Sequence, residues 1–279
     1  SWMIQPSPNS ADGTASVLYA VSCEDRSKCT AAGGYFDNAG VTQTLIERSN
    51  GTTWEIQATP NPANSLYVAF NGVSCPGPRD CTAVGLNVDS GFNYLTFAEH
   101  WNGTDWQIQS SPNPLGQGGE NGTFEGGVSC PTMRACTAVG QFNAVETAHP
   151  GVTLAEHWNG LSWQVQTTPH PAPVDGPNGT QNSPFAGVSC ATVHDCMAVG
   201  NYDSGTNGFL TLAELWNGTA WAVLQSPTPV GAYVSQLKGV SCPTTRMCMA
   251  VGETTRVNAS TLTRGRPVAL AERYSPNGD

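Results

Sequence analysis

Residues Gly72–Gly85 read GVSCPGPRDCTAVG. Two cysteines enclose five residues, a small and β-branched run leads in, and an apolar run ending in glycine leads out. The chain writes nearly the same stretch four more times: AVSCEDRSKCTAAG from Ala20, GVSCPTMRACTAVG from Gly127, GVSCATVHDCMAVG from Gly187 and GVSCPTTRMCMAVG from Gly239. The first cysteines are Cys23, Cys75, Cys130, Cys190 and Cys242, at intervals of 52, 55, 60 and 52 residues. A period of this size marks a repeat architecture and outranks a domain count based on length. The 279 residues are therefore read as one domain of five units.

All ten cysteines fall in these pairs: Cys23/Cys29, Cys75/Cys81, Cys130/Cys136, Cys190/Cys196 and Cys242/Cys248. An even count in a regular local pattern reads as a disulfide framework, which persists in oxidising compartments. Structural zinc sites space their ligands more closely and need two pairs together. The expectation is a secreted protein with one disulfide per unit, stapling the turn of a hairpin, and no metal. Ser1 stands inside a repeat, which reads as a mature protein or a trimmed part of a longer one. No run approaches the roughly 18 apolar residues of a membrane helix, so membrane insertion is not expected. The net charge of −10 repels phosphates and argues against nucleic acid as a partner.

Each unit carries two further segments. One is TFAEHWNG at Thr96–Gly103, with forms at Thr153–Gly160 and Thr211–Gly218, and diverged forms at Thr44–Gly51 and Ala269–Gly278. The other is W-x-[IV]-Q at Trp2–Gln5, Trp54–Gln57, Trp106–Gln109 and Trp163–Gln166, stretched to WAVLQ at Trp221–Gln225. Short runs rich in Val, Ile, Thr and Trp, bounded by Gly, Asn and Pro, are strand signals. Asn-Gly between two such runs signals a hairpin with a type I′ turn. Prolines end the fourth strand because they cannot donate to a ladder. Each unit thus predicts four antiparallel strands: A (GVSC), B (CTAVG), C (TLAEHW) and D (WQIQ). Four strands per repeat of this length is the mark of a β-propeller blade.

The chain ends NGD and begins SWMIQ, which joined matches NGTDWQIQ at Asn102–Gln109. The fold class expected is all-β: a five-bladed propeller closed by the N-terminal strand pairing with the C-terminal blade. The blades fall at about 16–60, 68–112, 124–169, 185–227, and 236–279 with 1–6.

Candidate chemistry follows from what repeats and what does not. Glu47, Glu99, Glu156, Glu214 and Glu272 recur on strand C. Equivalent positions in separate blades do not give the roughly 5–9.5 Å spacing of a glycosidase pair. They are read as structural acids, clasped by Arg79, Arg134 and Arg246 of the A–B turns. The pairs Trp101/Trp106, Trp158/Trp163 and Trp216/Trp221 are read as cross-strand packing. No catalytic residue is assigned: the serines beside the cysteines recur in every unit, and no Walker, H-E-x-x-H or EF-hand motif is present. No cofactor is expected, and calcium is supported by no motif.

Function sits where repeats differ. The D–A and B–C loops share one face and vary in length. Aromatic and polar residues gather there: Tyr35, Asp37, Asn87, Asp89, Phe142, Asn143, Tyr202 and Asp203 are the candidate ligand-binding residues. Aromatic faces beside amides and carboxylates suit saccharides.

The combination of WNGTxW with GVSCPxxxxCxAVG resembles repeats of secreted proteins of actinobacteria and related soil bacteria. The resemblance covers essentially the whole chain and implies secretion and a bacterial host. The architecture is also similar to five-bladed tachylectin-type lectins. Five-bladed glycosidases share the blade number but place acids on inner strands. Strand A here reads Val, Ser, Cys and Gly, which weighs against an enzyme. The expectation is a secreted, non-enzymatic module that binds a saccharide or cell-surface ligand through the variable loop face. The alternatives are a carbohydrate-active enzyme with one asymmetric site at the channel mouth, or a protein-binding adhesion scaffold.

Overall fold

The computed structural model describes residues 2–113, 122–144, 149–169, 171, 184–204, 208–256 and 265–276. The described residues form strands and turns throughout, without a helix. Unit 1 holds β1 (Gly13–Cys23), β2 (Cys29–Asp37), β3 (Thr42–Ser49) and β4 (Trp54–Gln57). Unit 2 holds β5 (Tyr67–Gly77), β6 (Asp80–Val88), β7 (Tyr94–Trp101) and β8 (Trp106–Gln109). In unit 3 the first strand is split into β9 (Gly122–Thr123) and β10 (Val128–Thr132), followed by β11 (Ala135–Ala144), β12 (His149–Trp158) and β13 (Trp163–Gln166). Unit 4 holds β14 (Phe185–Thr192), β15 (Asp195–Asp203), β16 (Phe209–Trp216) and β17 (Trp221–Leu224). Unit 5 holds β18 (Ala232–Thr244), β19 (Met247–Arg256) and β20 (Val268–Tyr274). Within each unit, consecutive strands pair antiparallel.

All five C-x5-C pairs are disulfides, each across the hairpin of the first two strands, with Cα atoms 3.9–4.1 Å apart. The expectation of a staple confined to the turn is corrected at Cys81, Cys136 and Cys196. These second cysteines lie on β6, β11 and β15 and are buried, at 0%, 1% and 2% exposure. Each belongs to the apolar cluster between its unit and the one before. Each also takes a contact from that preceding unit. Thr30 Oγ1 lies 3.7 Å from Cys81 Sγ, Thr82 Oγ1 lies 3.6 Å from Cys136 Sγ, and Thr137 Oγ1 lies 3.7 Å from Cys196 Sγ. A disulfide sulfur has no proton, so the threonine donates. The reason for the correction is the strand alternation: the cysteine that opens the second strand points to the face that the neighbouring unit covers.

The Asn-Gly turns form by a different device from the expected type I′ geometry. The loop is four residues long, and the asparagine uses its side chain in place of a positive φ. Asn102 Oδ1 accepts from Thr104 N at 2.9 Å and from Asp105 N at 3.0 Å, and only Gly103 adopts a positive φ. Asn50, Asn159 and Asn217 do the same.

The two glycines of the repeated motif have separate causes. The first lies where neighbouring units meet: a Cβ on Gly72 would stand 2.6 Å from Gly127 Cα of the next unit. The second lies opposite a β-bulge. Every unbroken first strand shifts register one residue before the motif, as between Phe70 and Gly72. The bulge pushes a carbonyl across the ladder, so a Cβ on Gly85 would lie 1.9 Å from Ala69 O. Only glycine permits so close a backbone approach.

Units join edge to edge through side chains written into the same motif. Ser22 Oγ accepts from Cys75 N at 3.0 Å, Ser74 from Cys130 N at 3.0 Å, Ser129 from Cys190 N at 2.9 Å and Ser189 from Cys242 N at 2.9 Å. The core is four apolar clusters, one between each successive pair of units. In the first, Ala32 and Ile46 of unit 1 meet Phe70, Val73, Phe97, Trp101 and Trp106 of unit 2. The tryptophan pairs pack as expected, with ring centroids 5.8–5.9 Å apart.

The two ends of the series carry the same faces uncovered. Val21 of unit 1 is 62% exposed, whereas its counterpart Val73 is 7% exposed. Val251 of unit 5 is 55% exposed, whereas its counterpart Val199 is 1% exposed. The expected pairing of the N-terminal strand with the last unit is not formed: residues 2–10 carry no strand, and β20 pairs with β19 alone among the described residues. Asn277–Asp279, the turn of that expected junction, lies outside the described residues.

Candidate functional site

The bulges are where the inner strands differ. The extra residue is Tyr19 in unit 1, Asn71 in unit 2, Ala186 in unit 4 and Lys238 in unit 5. In unit 3 the irregularity widens to a turn, Glu125–Gly126, between β9 and β10, with Gly126 N donating to Val139 O at 3.0 Å. Five equivalent places thus hold a phenol, an amide, a carboxylate, a methyl group and an ammonium. A bulge takes its extra side chain out of the alternation of the ladder and re-aims it. Tyr19, Glu125 and Lys238 are exposed, and Asn71 is half-buried.

Neighbouring side chains tie this set together. Asn71 Nδ2 of unit 2 donates to Phe124 O at 3.5 Å, beside Glu125 of unit 3. Glu125 Oε2 accepts from Gln141 Nε2 at 3.3 Å. Lys238 Nζ lies 3.0 Å from Glu253 Oε1, and Gln236 Nε2 donates to the same oxygen. The Lys238 ammonium, then the Gln236 amide, hold the Glu253 carboxyl below the usual carboxylate range. Among the described residues of the first two strands of each unit, away from the ends of their hairpins, the carboxylates are Glu253 inside β19 and Glu125 in the turn between β9 and β10. The described first strands carry no acid, and Glu125 stands in the turn that interrupts the first strand of unit 3. The sequence signal was a one-residue insertion: two residues, Glu125 and Gly126, separate Phe124 from the motif in unit 3, where one, Asn71, separates Phe70 from it in unit 2.

The residues expected from the loops take several places. Tyr35 on β2 is half-buried and opposite Ser16 and Gln43. Phe142 and Tyr202 pack against the apolar clusters of their own units. Asp37 and Asp89 close their loops. Asp37 Oδ1 accepts from Ala39 N and Val41 N, each at 2.9 Å, and Oδ2 from Gln43 at 3.0 Å. Asp89 Oδ1 accepts from Gly91 N at 2.7 Å and Asn93 N at 3.0 Å. The Val41 amide foremost holds Asp37 low, and the Asn93 side chain does the same for Asp89. Asn87 is buried, and its Oδ1 accepts no hydrogen bond among the described residues. Asp203 ends β15 opposite Phe209. The side chain of Asn143 lies outside the described residues.

The disulfides stand apart from this set. Cys136 and Cys196 in particular are enclosed between units, so no ligand reaches their sulfurs, and their role is confined to packing and cross-linking.

Four of the five strand-C glutamates are fully buried, and the expected arginine clasp is absent among the described residues. They face the preceding unit rather than the A–B turn. Ser7 donates to Glu47 at 2.8 Å, Ser111 to Glu156 at 2.7 Å and Ser226 to Glu272 at 2.6 Å, each across a unit boundary. Glu99 and Glu214 have a threonine in the serine's place. Thr59 bonds Thr44 and Thr168 bonds Thr153, within their own units. Burial pushes Glu99, Glu156 and Glu214 up to about 8.

No family model matches the chain, and no curated protein matches it. Solved structures define the class: the fold is a β-propeller. An alpha-L-arabinofuranosidase from Fusarium graminearum, in complex with an iminosugar inhibitor, is similar at TM-score 0.50 and 11% identity, covering 93% of both chains. An alpha-L-arabinanase from Penicillium chrysogenum, complexed with arabinobiose, is similar at TM-score 0.48 and 13% identity, covering 91% of this chain and 93% of its own. The six-bladed, fucose-recognising Aleuria aurantia lectin follows at TM-score 0.44 and 10% identity, covering 91% and 78%. Most of these similar structures are glycoside hydrolases, against the expected non-enzymatic binding module, and at 8–14% identity their likeness to this chain shows the fold alone.

Proposed function

We propose that this chain is a secreted carbohydrate-active enzyme that hydrolyses glycosidic bonds at one asymmetric site on the propeller axis, in a closed ring of five blades. The observation that carries the reading is that Glu125, in the turn that breaks the first strand of unit 3, and Glu253, inside β19, are the carboxylates of the first two strands of each unit away from the ends of the units' hairpins among the described residues. Glycoside hydrolysis needs two carboxyl groups in different states. Glu253, held ionised by Lys238, is suited to activate water or attack the anomeric carbon. Glu125, whose Oε2 accepts from the Gln141 amide, is assigned the role of giving the leaving oxygen its proton. Water then supplies the hydroxyl to the sugar and the proton that restores the acid. Tyr35 and Asp203, both half-buried at the ends of their units' second strands, are the loop-face residues offered to a saccharide chain. The five disulfides support an extracellular setting.

Arabinan, arabino-oligosaccharides and a panel of nitrophenyl glycosides, starting with the α-L-arabinofuranoside, are the first substrates to assay. Hydrolysis is expected from the oxidised protein. Glu125→Gln and Glu253→Gln should each lower kcat by about 10²–10⁴-fold with the fold intact. Silence across the panel, or full activity in both variants, refutes the proposal.

A further inference from the structure

Between units 4 and 5 lies a cleft of about 70 Å³, lined by Val199, Ala213, Leu224, Gln225, Glu272 and Tyr274 among others. At every earlier boundary the equivalent space is filled by a tryptophan from the outer strand. Trp106 packs in the cluster with Ala32 and Ile46, Trp163 with Val84 and Ala98, and Trp221 with Val139 and Ala155. The fourth cluster carries the matching pair, Val199 and Ala213, and no tryptophan. Meanwhile Trp2 is 103% exposed, and Met3 and Ile4 are exposed beside it.

The same segment is already anchored at its other end. Gln5 Oε1 accepts from Trp54 Nε1 at 3.0 Å, as Gln109 does from Trp163 and Gln166 from Trp221, both at 2.8 Å. In those two cases the glutamine belongs to the outer strand of the preceding unit. Ser7 likewise bonds Glu47, just as Ser111 bonds Glu156. Toward unit 1, then, residues Gln5–Ser7 behave as the tail of a preceding unit's outer strand.

We infer that Trp2–Gln5 is the outer strand of unit 5, docking antiparallel on β20 with Trp2 seated in the cleft between units 4 and 5. The repeat fixes the register. Trp101 pairs with Trp106 and Ala98 with Gln109, so Tyr274 takes Trp2 and Ala271 takes Gln5. Gln225 at the cleft supplies an acceptor for the Trp2 indole N–H. Docking draws unit 1 onto unit 5 and covers Val21 with Val251. It also makes Tyr19 and Lys238 neighbours, as Gly72 and Gly127 already are. The axial set is complete only in that state.

The test is amide exchange by mass spectrometry on the full oxidised chain, with sedimentation at two concentrations. It needs no substrate, so its outcome is separate from that of the activity assay. In the unmodified monomer, residues 268–274 should exchange as slowly as 94–101, whose strand has an outer partner. Trp2→Ala should speed exchange at 268–274 at least tenfold and leave 94–101 unchanged, and Trp2→Phe should restore most of the protection. Exchange at 268–274 that is about 100-fold faster than at 94–101 in the unmodified chain overturns the inference. Protection that appears only in a dimer also overturns it, because a second copy would then supply the strand.

Discussion

Replacing Glu99 with glutamine should stabilise the protein at neutral pH. Glu99 is fully buried, and neither of its carboxyl oxygens has a hydrogen-bond partner among the described residues. Burial raises its pKa from 4.5 to about 8, so the folded state holds a proton that the unfolded chain gives up. Between these values stability falls as pH rises, by about 1.4 kcal/mol per unit for one such group. The contribution is fully present below 4.5 and gone above about 8. At pH 7 the loss from Glu99 is about 3 kcal/mol relative to pH 4. Glutamine has the shape of the protonated acid and cannot ionise in either state. Glu99→Gln should therefore match the parent near pH 4 and gain about 3 kcal/mol at pH 7, on the order of 5–10 °C in Tm for a chain of this length. Calorimetric scans of both proteins from pH 4 to pH 9 measure this. A parent Tm that rises between pH 5 and pH 8, or a variant curve parallel to the parent's, would refute the reasoning.

Further outcomes follow from other contacts. Glu214→Gln should behave like Glu99→Gln, whereas Glu47→Gln should show less because Ser7 already bonds the carboxylate; the same scans compare them. Ser129→Ala removes the acceptor for Cys190 N between units 3 and 4 and should cost about 1 kcal/mol in denaturant unfolding. Replacing Cys75 and Cys81 together with serine opens a seven-residue loop and should cost about 2 kcal/mol by the chain-entropy account, read from the urea midpoint. Gly85→Ala drives a methyl group into Ala69 O and should cost more than about 3 kcal/mol, visible as loss of soluble monomer.

Much of the strand layout was legible in the sequence because it rests on local chemistry. The cysteine spacing requires a hairpin between the first two strands, and the Asn-Gly stretch requires a turn between the last two. What stayed hidden depends on the third dimension. The burial of Cys136 and Cys196 is one such case, since spacing shows which cysteines pair but not which face of the strand another unit covers. The bulge before Gly72 leaves no periodicity, since one unpaired residue shifts the alternation without breaking an apolar run. Hence Tyr19, Asn71, Glu125 and Lys238 look in the sequence like ordinary strand residues. Glu99 looked like a surface partner for arginine because its neighbour across the unit boundary lies about 40 residues away in sequence. In the structure that neighbour is a Ser- or Thr-Pro segment. Asp37 and Asp89 carried the right chemistry for a ligand, but the sequence did not reveal that their own loops already use those oxygens.

The glycine opposite each bulge has a consequence for how such a protein can change. Gly33, Gly85, Gly140, Gly200 and Gly252 each leave room for a carbonyl 1.9–2.0 Å from where a methyl group would stand. The backbone distortion is thus accommodated by the partner strand, and the bulged residue itself carries no steric obligation. Tyrosine, asparagine, alanine and lysine already occupy it on nearly one frame. The chain is in effect a combinatorial display: four bulge positions, separately exchangeable, sit on strands that keep the same register around them. Randomising positions 19, 71, 186 and 238 together samples a large space of side-chain chemistries while leaving every disulfide in place.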